Sequence, residues 1–485
     1  MKIAIIGMGV AGISVLREWT KEQQHDPSIH LTVFGDKDTF GTGKGYQTDD
    51  LGLLMNQAAE FTSLIPEEDD DFAEWMKENY GEEDPALKFY PRSQFGEYVH
   101  DRMNDWLFQS KANVILEKVE AVQMLPNHRF RVSWPSGEAD FDAVHLCMGN
   151  LPYQDPYHIK DHPHTIGDPF PIEEKLAHIP HGASIGVLGM GLTGVDIFRY
   201  TFAHRPDVDV SFFSRSGTFK TIINESIPVE NRFFTKENIA RVKEMNHGII
   251  PLDTHKDWFI KELEHYQVSL DNVSIDETLG SKESIQQQLT GSREIAVIQA
   301  VLKNITLLQT DLWAALMESD KHAFMKKYYK TWDKLRAPFP HETGEDLVYA
   351  WEKNVFSVYD NLDDIEENGA SFTCHLKDGT SINVDYFINA TGNDIHVSFD
   401  KKQMPLLSQM LNERIIQPEE FGGVQVRIPD LSAVSQKYGV IHTLKAHGQL
   451  IAGIQFGNSS VRIISRSAEA AVKDIVRHLK SRAEV

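Results

Sequence analysis

Cysteine is almost missing from this sequence, which has only Cys147 and Cys374 among its 485 residues. The two lie far apart and form no Cys-x-x-Cys pair, which excludes the redox-active dithiol of disulfide oxidoreductases and leaves no zinc-ligand spacing. Each lies in an apolar, strand-like run, so we expect both to be unreactive core residues in a reducing cytosol.

Long apolar runs and positive charge are also scarce. No run approaches the roughly 20 apolar residues of a membrane span. The 48 Lys and Arg residues stand against 71 Asp and Glu, a formal net charge of −23. Nucleic acids and anionic membranes bind basic surfaces, so we expect a soluble cytoplasmic protein with neither as a partner. The length and a hydrophobic content of 41% predict two or three globular domains.

A glycine-rich motif of Gly7, Gly9 and Gly12 follows the apolar run Ile3–Ile6. A buried strand, a tight turn and a helix in this order are typical of a dinucleotide site. One glycine bends the chain, one lets a pyrophosphate approach, and Gly12 lets the helix pack closely on the strand. The helix directs its free N–H groups and positive dipole end at the phosphates. The alternative is a glycine-rich turn with no ligand.

An acidic residue is expected about 20 residues further on, where it would hold a ribose hydroxyl. The next strand is predicted at Ile29–Phe34, and Asp36 is the candidate acid. Gly35 occupies the place where an acid is usual, so either Asp36 reaches across or the ribose is held differently.

A second motif of Gly189, Gly191 and Gly194 follows another apolar run, Ile185–Leu188. It repeats the strand, turn and helix pattern of the first motif. Two such motifs imply two bound dinucleotides.

The strand after the second motif is predicted at Val208–Phe213 and is followed by Ser214 and Arg215, with no carboxylate. A guanidinium beside a hydroxyl suits a ribose 2′-phosphate better than a bare diol, which indicates NADPH. The alternative is an ordinary solvated arginine.

Four further residues are candidate cofactor contacts. The amide of Asn56 is able to hydrogen-bond a flat heteroaromatic edge, unless its segment is simply a flexible loop. Arg92 is a candidate partner for a pyrophosphate or a substrate carboxylate, or else it forms a structural salt bridge. Gly149 and Gly392 end two similar apolar strands, each expected to lie against a nucleotide.

The later parts of the chain lack glycine motifs. Amphipathic helical patterns run from about residue 218 to 340 and predict a helical insertion. Near the C-terminus, the run Leu450–Ile454 predicts a strand. A final helix follows it, and Ser459 and Ser460 are able to cap the start of that helix.

Together these motifs resemble those of the two-dinucleotide flavoproteins, in which an NADPH domain interrupts an FAD domain. More narrowly, the chain is similar to bacterial FAD/NAD(P)-binding proteins akin to the N-hydroxylating flavin monooxygenases. The resemblance extends over nearly the whole length. It is carried by Gly7–Gly12, Gly45-Tyr46, Leu54–Asn56, Pro91-Arg92, Phe95–Tyr98, Gly189–Asp196, Ser214–Gly217, Trp332-Asp333 and Arg336.

The resemblance implies an α/β fold with two Rossmann-like dinucleotide-binding domains, an FAD domain interrupted by an NADPH domain, and a helical insertion. The implied cofactors are FAD and NADPH, with no metal. In flavoproteins of this build, the helix that begins at Ser459 and Ser460 lies under the flavin. The expected boundaries are 1–152 and 396–485 for the FAD domain, 153–220 and 346–395 for the NADPH domain, and 221–345 for the insertion.

The implied activity is that of an NADPH-using monooxygenase, which forms a flavin C4a-hydroperoxide and oxygenates a small nucleophile such as an amine nitrogen. Its partners would be a small-molecule substrate and molecular oxygen, and no catalytic side chain stands out in the sequence. Two alternatives remain open. One is an NADPH-dependent flavin reductase or oxidase without oxygen insertion. The other is a non-catalytic dinucleotide sensor, in which Gly35 and Cys147 have impaired FAD binding.

Overall fold

The computed structural model describes residues 1–225, 227–270, 278–398, 400–457 and 460–483. The chain divides into two compact units, and it passes from the first to the second and back twice. Unit 1 comprises Met1–Leu51, Gln57–Pro152 and Asn393–Val485, and unit 2 comprises Gly52–Asn56 and Tyr153–Gly392.

Unit 1 begins with the predicted strand, turn and helix. Its first strand lies between two parallel strands, His30–Phe34 and Ala143–Leu146, and is buried. This position accounts for its unbroken apolar run. The elements of this first stretch are β1 (Lys2–Ile6), α1 (Val10–His25), β2 (His30–Phe34), α2 (Asp71–Tyr80), α3 (Arg92–Ser110), β3 (Asn113–Ile115), β4 (Ala121–Met124), β5 (Phe130–Trp134), β6 (Gly137–Phe141) and β7 (Ala143–Leu146).

Unit 2 repeats the pattern and carries the helical insertion between two strands that are neighbours in its large sheet, Asp209–Ser214 and Phe356–Asp360. Its elements are β8 (Thr165–Ile166), α4 (Ile172–Ala177), β9 (Ser184–Leu188), α5 (Leu192–His204), β10 (Asp209–Ser214), α6 (Lys236–Met245), α7 (Leu252–His265), α8 (Lys282–Leu289), α9 (Arg293–Ile305), α10 (Gln309–Ala314), α11 (Glu318–Lys327), α12 (Tyr329–Arg336), α13 (His341–Glu352), β11 (Phe356–Asp360), β12 (Leu362–Glu367), β13 (Phe372–Leu376), β14 (Ser381–Val384) and β15 (Tyr386–Asn389).

The chain then returns to unit 1 and completes its sheet. The returning elements are α14 (Pro405–Asn412), β16 (Val426–Arg427), β17 (Ser432–Ser435), β18 (Gly439–Ala446) and α15 (Val461–Ala483). The predicted strand at Leu450–Ile454 is wrong: Gly448–Ile451 forms a 3-10 helix. The sheet position is already filled by β18, and Gly448 turns the chain out of the sheet with a φ of +62°. A short apolar run of this kind does not distinguish a strand from another buried segment.

The two units share one design. The large sheet of unit 1 has the order β16-β17-β18-β7-β1-β2-β3, and that of unit 2 has the order β11-β10-β9-β15-β8. In each unit, a three-stranded antiparallel sheet (β4–β6 or β12–β14) comes just before a central parallel strand, β7 or β15. The insertion has its own apolar core, with buried residues from Phe234 to Leu335. Among the described residues, no helix is long and apolar enough to cross a membrane.

A fully buried lysine lies in the core of unit 1. Lys445 on β18 donates from Nζ to Asp474 Oδ2 at 2.7 Å and to Ser432 Oγ at 2.7 Å, and Asp430 Oδ1 lies 3.4 Å away. Burial lowers the pKa of Lys445, and the two carboxylates oppose that shift. The ion pairs join β18 to α15 and to the start of β17, so they bind the returning strands to the C-terminal helix.

Candidate functional site: two glycine turns

The first glycine turn is shaped by two glycines that no other residue can replace without movement. Gly7 has a φ of +99°, and a Cβ added there would lie 2.2 Å from the carbonyl oxygen of Cys147. A Cβ on Gly12 would lie 1.9 Å from the carbonyl oxygen of Gly7. Gly7 therefore makes the turn against β7, and Gly12 lets α1 pack on the strand that precedes it.

The middle glycine of the turn is different. A Cβ on Gly9 would meet nothing closer than Gly43 Cα at 3.5 Å, and its φ of −90° is open to any residue. Gly9 is also the N-cap of α1, where no side chain caps the helix. The protein itself does not need glycine here. The space and the uncapped N–H groups therefore fit a phosphate that approaches the helix end.

The second glycine turn repeats this division of roles. Gly189 has a φ of +110°, and a Cβ there would lie 2.4 Å from the carbonyl oxygen of Ala390. A Cβ on Gly194 would lie 2.5 Å from the carbonyl oxygen of Gly189, whereas one on Gly191 would meet nothing within 4 Å. Gly191 caps α5 without a side-chain hydrogen bond. Both turns therefore offer the same cradle.

The strand ends facing the two turns are also equivalent. Cys147 after β7 and Ala390 after β15 present their carbonyl groups to the first glycine of each turn. Two residues later, Gly149 and Gly392 have φ values of +72° and +93°, with open space around them. Burial raises the pKa of the Cys147 thiol, so the thiol stays protonated and fills a core position.

Steric hindrance at Gly35 explains why the acidic residue expected to bind the ribose of the first nucleotide stands one position later, at Asp36. A Cβ on Gly35 would lie 2.6 Å from the ring of Phe40, so no acid fits at that position. Asp36 is the first carboxylate after β2, and Lys118 lies 2.8 Å from its Oδ2. The hydrogen bond from Lys118 lowers the pKa of Asp36. Because the Lys118 side chain is 78% exposed, a ligand is able to compete with this ion pair.

Arg92 is the first residue of α3 and lies near Tyr46, in the loop that follows β2. The loop is tied to the turn, because the N–H of Gly41 donates to the carbonyl oxygen of Met8 at 2.9 Å. It also packs on α3, where a Cβ on Gly96 would lie 1.9 Å from the carbonyl oxygen of Tyr46. The glycine turn, this loop and Arg92 are thus brought together in unit 1.

Asn56 lies in unit 2, not in unit 1 as its position in the sequence predicts. The segment Gly52–Asn56 groups with unit 2, although residues 1–152 were expected to form one domain. Leu53 is buried in the core of unit 2, and Arg199 Nε donates to the carbonyl oxygen of Gly52 at 2.6 Å. The role of Asn56 stays a prediction.

Two buried polar atoms near the start of α15 lack a partner among the described residues. They are Gln455 Oε1 and Ser460 Oγ, and each side chain belongs to a residue that is 5% exposed. The neighbouring Gly448 lies close to the first turn of α1, since a Cβ there would be 3.6 Å from Ala11 Cβ. A polar ligand in unit 1 would satisfy such atoms, so the residues fit FAD. Ser459 lies outside the described residues.

The second site carries a guanidinium at the expected place. β10 ends at Ser214, whose Oγ accepts a hydrogen bond from the N–H of Gly217 at 2.9 Å. Arg215 is exposed and makes no hydrogen bond or ion pair with any described residue. A cleft of about 720 Å³ opens beside this turn in unit 2. The volume is in the range of small-molecule sites, so the residues fit a nicotinamide dinucleotide.

A buried histidine chain behind the first site was not found from the sequence. Trp19 Nε1 donates to His145 Nε2 at 2.9 Å, and His145 Nδ1 lies 2.9 Å from His447 Nε2. Because Trp only donates, neutral His145 carries its proton on Nδ1 and donates it to His447. Burial lowers the pKa of both histidines. The only sequence signal was a histidine within or just after an apolar strand, which is too common to be informative.

Comparisons with known proteins agree with this geometry. Residues 4–151 match the family model described as FAD-NAD(P)-binding, while no curated protein sequence matches the chain. Similar solved structures include ornithine hydroxylase from Pseudomonas aeruginosa, at 12% identity and a TM-score of 0.59 over 99% of both chains. L-lysine 6-monooxygenase from Pseudomonas syringae has 14% identity and a TM-score of 0.57, over 98% of this chain and 99% of that one.

A third similar structure is the ornithine N-hydroxylase of Kutzneria sp. 744 with reduced FAD, NADP⁺ and L-ornithine. It has 14% identity and a TM-score of 0.58, over 98% of this chain and 99% of that one. At such identities the likeness establishes a shared fold. The expected α/β fold class is confirmed, and the FAD-NAD(P)-binding family model matches the first part of unit 1.

Proposed function

We propose that this protein is an FAD-dependent, NADPH-using oxidoreductase, and specifically a monooxygenase that oxygenates a small nucleophile such as an amine nitrogen. The observation that carries the proposal is the pair of equivalent glycine turns, one in each unit. Each has an open middle glycine at an uncapped helix N-terminus. Support for the amine comes from the shared fold, since the similar structures are hydroxylases of ornithine and lysine.

In this proposal, unit 1 holds FAD. The N–H groups of α1 after Gly9 would bind its pyrophosphate, and Asp36 would accept a hydrogen bond from its ribose. Gln455 and Ser460 offer to the same ligand buried oxygens that have no partner among the residues described. When bound, FAD supplies the transfer of electrons from NADPH to oxygen, chemistry that no side chain of this protein can perform.

Unit 2 holds NADPH. The N–H groups of α5 after Gly191 would bind its pyrophosphate, and Arg215 would pair with its 2′-phosphate. Ser214 already uses its Oγ to accept from Gly217, which fixes the turn that carries Arg215. The roles of these side chains are binding and orientation, and no general acid or base is needed to explain them.

The structure weakens the case for a non-catalytic sensor. That alternative depended on Gly35 and Cys147 as departures that impair FAD binding. Gly35 is required by the ring of Phe40, and Cys147 presents the same carbonyl group to its turn as Ala390 does. Neither departure alters the cradle, so both are compatible with a bound nucleotide.

The test is to measure NADPH oxidation, oxygen uptake and hydrogen peroxide release by the FAD-loaded protein, with a panel of primary amines that includes ornithine, lysine and cadaverine. We expect one amine to divert electrons from peroxide into a hydroxylated product. Peroxide equal to the NADPH consumed with every amine would identify a reductase or oxidase. Absence of any flavin-dependent NADPH oxidation would favour the sensor.

A further inference from the structure

We infer that Asp360 is a second determinant of coenzyme choice, one that opposes Arg215. Its carboxylate disfavours a 2′-phosphate and favours the free ribose diol, so that the protein accepts NADH as well as NADPH. This inference rests on the proposed binding of a nicotinamide dinucleotide to unit 2, and it deepens that proposal.

Asp360 lies at the end of a strand that neighbours β10 in the large sheet of unit 2. Asp360 is the last residue of β11, which pairs in parallel with β10, and its Cα is in register with that of Ser214. The turn after β10 folds back against it, since a Cβ on Gly217 would lie 3.3 Å from Asp360 Cβ. Ends of adjacent parallel strands share one edge of the sheet, where such folds bind their ligands. Asp360 and Arg215 therefore lie at the same edge, on neighbouring strands.

The carboxylate of Asp360 is accessible to a ligand. Asp360 is exposed, and its carboxylate makes no hydrogen bond or ion pair within the part of the chain that the structure describes. It lines the cleft of about 720 Å³ together with Ser216 and Gly217 of the turn. No contact of its carboxylate with the residues described gives Asp360 a structural role at this place.

The side chains that line the cleft carry negative charge. The described residues that line the cleft include no lysine and no arginine, whereas three are carboxylates: Glu283, Glu294 and Asp360. A 2′-phosphate carries a charge between about −1 and −2 near neutral pH, so it enters a cleft with three lining carboxylates. Lys334 is not a lining residue; its Nζ donates to Thr218 Oγ1 at 2.8 Å and to the carbonyl oxygen of Leu279 at 2.6 Å. Like charges within one Debye length repel.

The carboxylate of Asp360 and the guanidinium of Arg215 suit different coenzymes. Nucleotide-binding folds of this kind use a carboxylate to accept hydrogen bonds from the ribose diol of NAD, and an arginine to donate hydrogen bonds to the 2′-phosphate of NADP. Here one strand end supplies the arginine and its neighbour supplies the carboxylate. Arg215 alone would give strict selection of NADPH, and with Asp360 beside it the selection is weaker.

The experiment compares Asp360→Asn with the unchanged protein by calorimetry, using 2′,5′-ADP and 5′-AMP as probes of the adenosine end. We expect 2′,5′-ADP to bind roughly three- to tenfold more tightly in the variant, because one repulsive charge is removed. Binding of 5′-AMP should stay within twofold or weaken. The matched control is Asp378→Asn, which removes an exposed carboxylate from the turn between β13 and β14 and should change neither affinity.

The same variants are then assayed with NADPH and NADH. An unchanged ratio of 2′,5′-ADP to 5′-AMP affinity would overturn the role of Asp360. An equal change for both probes, or an equal change in Asp378→Asn, would also overturn it. Failure of the proposed function looks different, because then neither probe would bind any of the three proteins.

Discussion

The division of roles among the glycines of the first turn predicts that replacing each by alanine has a different effect. Gly9→Ala should leave the fold intact, because its φ of −90° and ψ of −166° suit alanine and the nearest atom to a Cβ is 3.5 Å away. Loss of glycine flexibility in the unfolded chain should stabilise the variant by up to about 1 kcal/mol. The new methyl group would occupy the space left for the pyrophosphate. FAD affinity should then fall at least a hundredfold, about 2.7 kcal/mol.

Gly12→Ala is the contrasting variant. Its Cβ would lie 1.9 Å from the carbonyl oxygen of Gly7, so α1 has to move by more than about 1 Å for ordinary contact. We expect a loss of stability of about 2–5 kcal/mol, as for other steric conflicts in a packed core. Gly191→Ala is the matched control in unit 2, since nothing lies within 4 Å of its Cβ.

The assay is thermal unfolding of the apoproteins together with titration of FAD followed by its fluorescence. Gly9→Ala should unfold at the same temperature as the unchanged protein or a few degrees above it, but fail to bind FAD. Gly191→Ala should bind FAD normally and accept electrons from dithionite, but NADPH should no longer reduce it efficiently. Normal FAD binding by Gly9→Ala would refute the assignment of FAD to the first turn. Unfolding of Gly9→Ala would refute the claim that this glycine is kept for a ligand.

Three further predictions follow from individual side chains. Arg215→Ala should raise KM for NADPH more than tenfold, about 1.4 kcal/mol, with little effect for NADH; equal effects would contradict a role at the 2′-phosphate. Burial lowers the pKa of His145 and lowers that of His447 to about 3, so the unfolded chain binds up to two more protons below about pH 6.5 and stability should fall there by roughly 2–3 kcal/mol per pH unit; a flat profile between pH 6.5 and 4 in chemical denaturation would contradict this. Lys445→Met should destabilise the fold by up to about 3 kcal/mol by removing the buried cation of Asp474 and Asp430, which keep only the partly exposed Arg427 and His442 as partners, and replacing both carboxylates by amides as well should recover much of the loss.

The sequence was sufficient to predict both glycine turns, because strand, turn and helix impose local constraints that the residues themselves display. Gly7 and Gly12 are needed by the backbone, and the spacing of Gly9 between them predicts a phosphate site. The same local logic located Arg215, which directly follows its strand. Predictions of this kind depend on neighbours in the chain, so they did not need the tertiary structure.

Residues whose surroundings come from distant parts of the chain were not predictable in this way. Gly35 appeared to be a departure, and only the packing of Phe40 shows why an acid does not fit there. Asp360 is separated from Arg215 by the whole helical insertion, and only the pairing of β10 with β11 brings the two to one edge. Likewise, His145 and His447 meet because β7 and β18 are neighbours in the sheet.

An anaerobic titration of the purified, FAD-saturated protein with NADPH, followed by the visible absorbance of the flavin, tests the proposed oxidoreductase activity most directly. We expect the protein to retain one FAD per chain through gel filtration and about one equivalent of NADPH to remove its visible absorbance. A protein that takes up no FAD, or whose bound flavin is reduced by dithionite but not by NADPH or NADH, would contradict this activity.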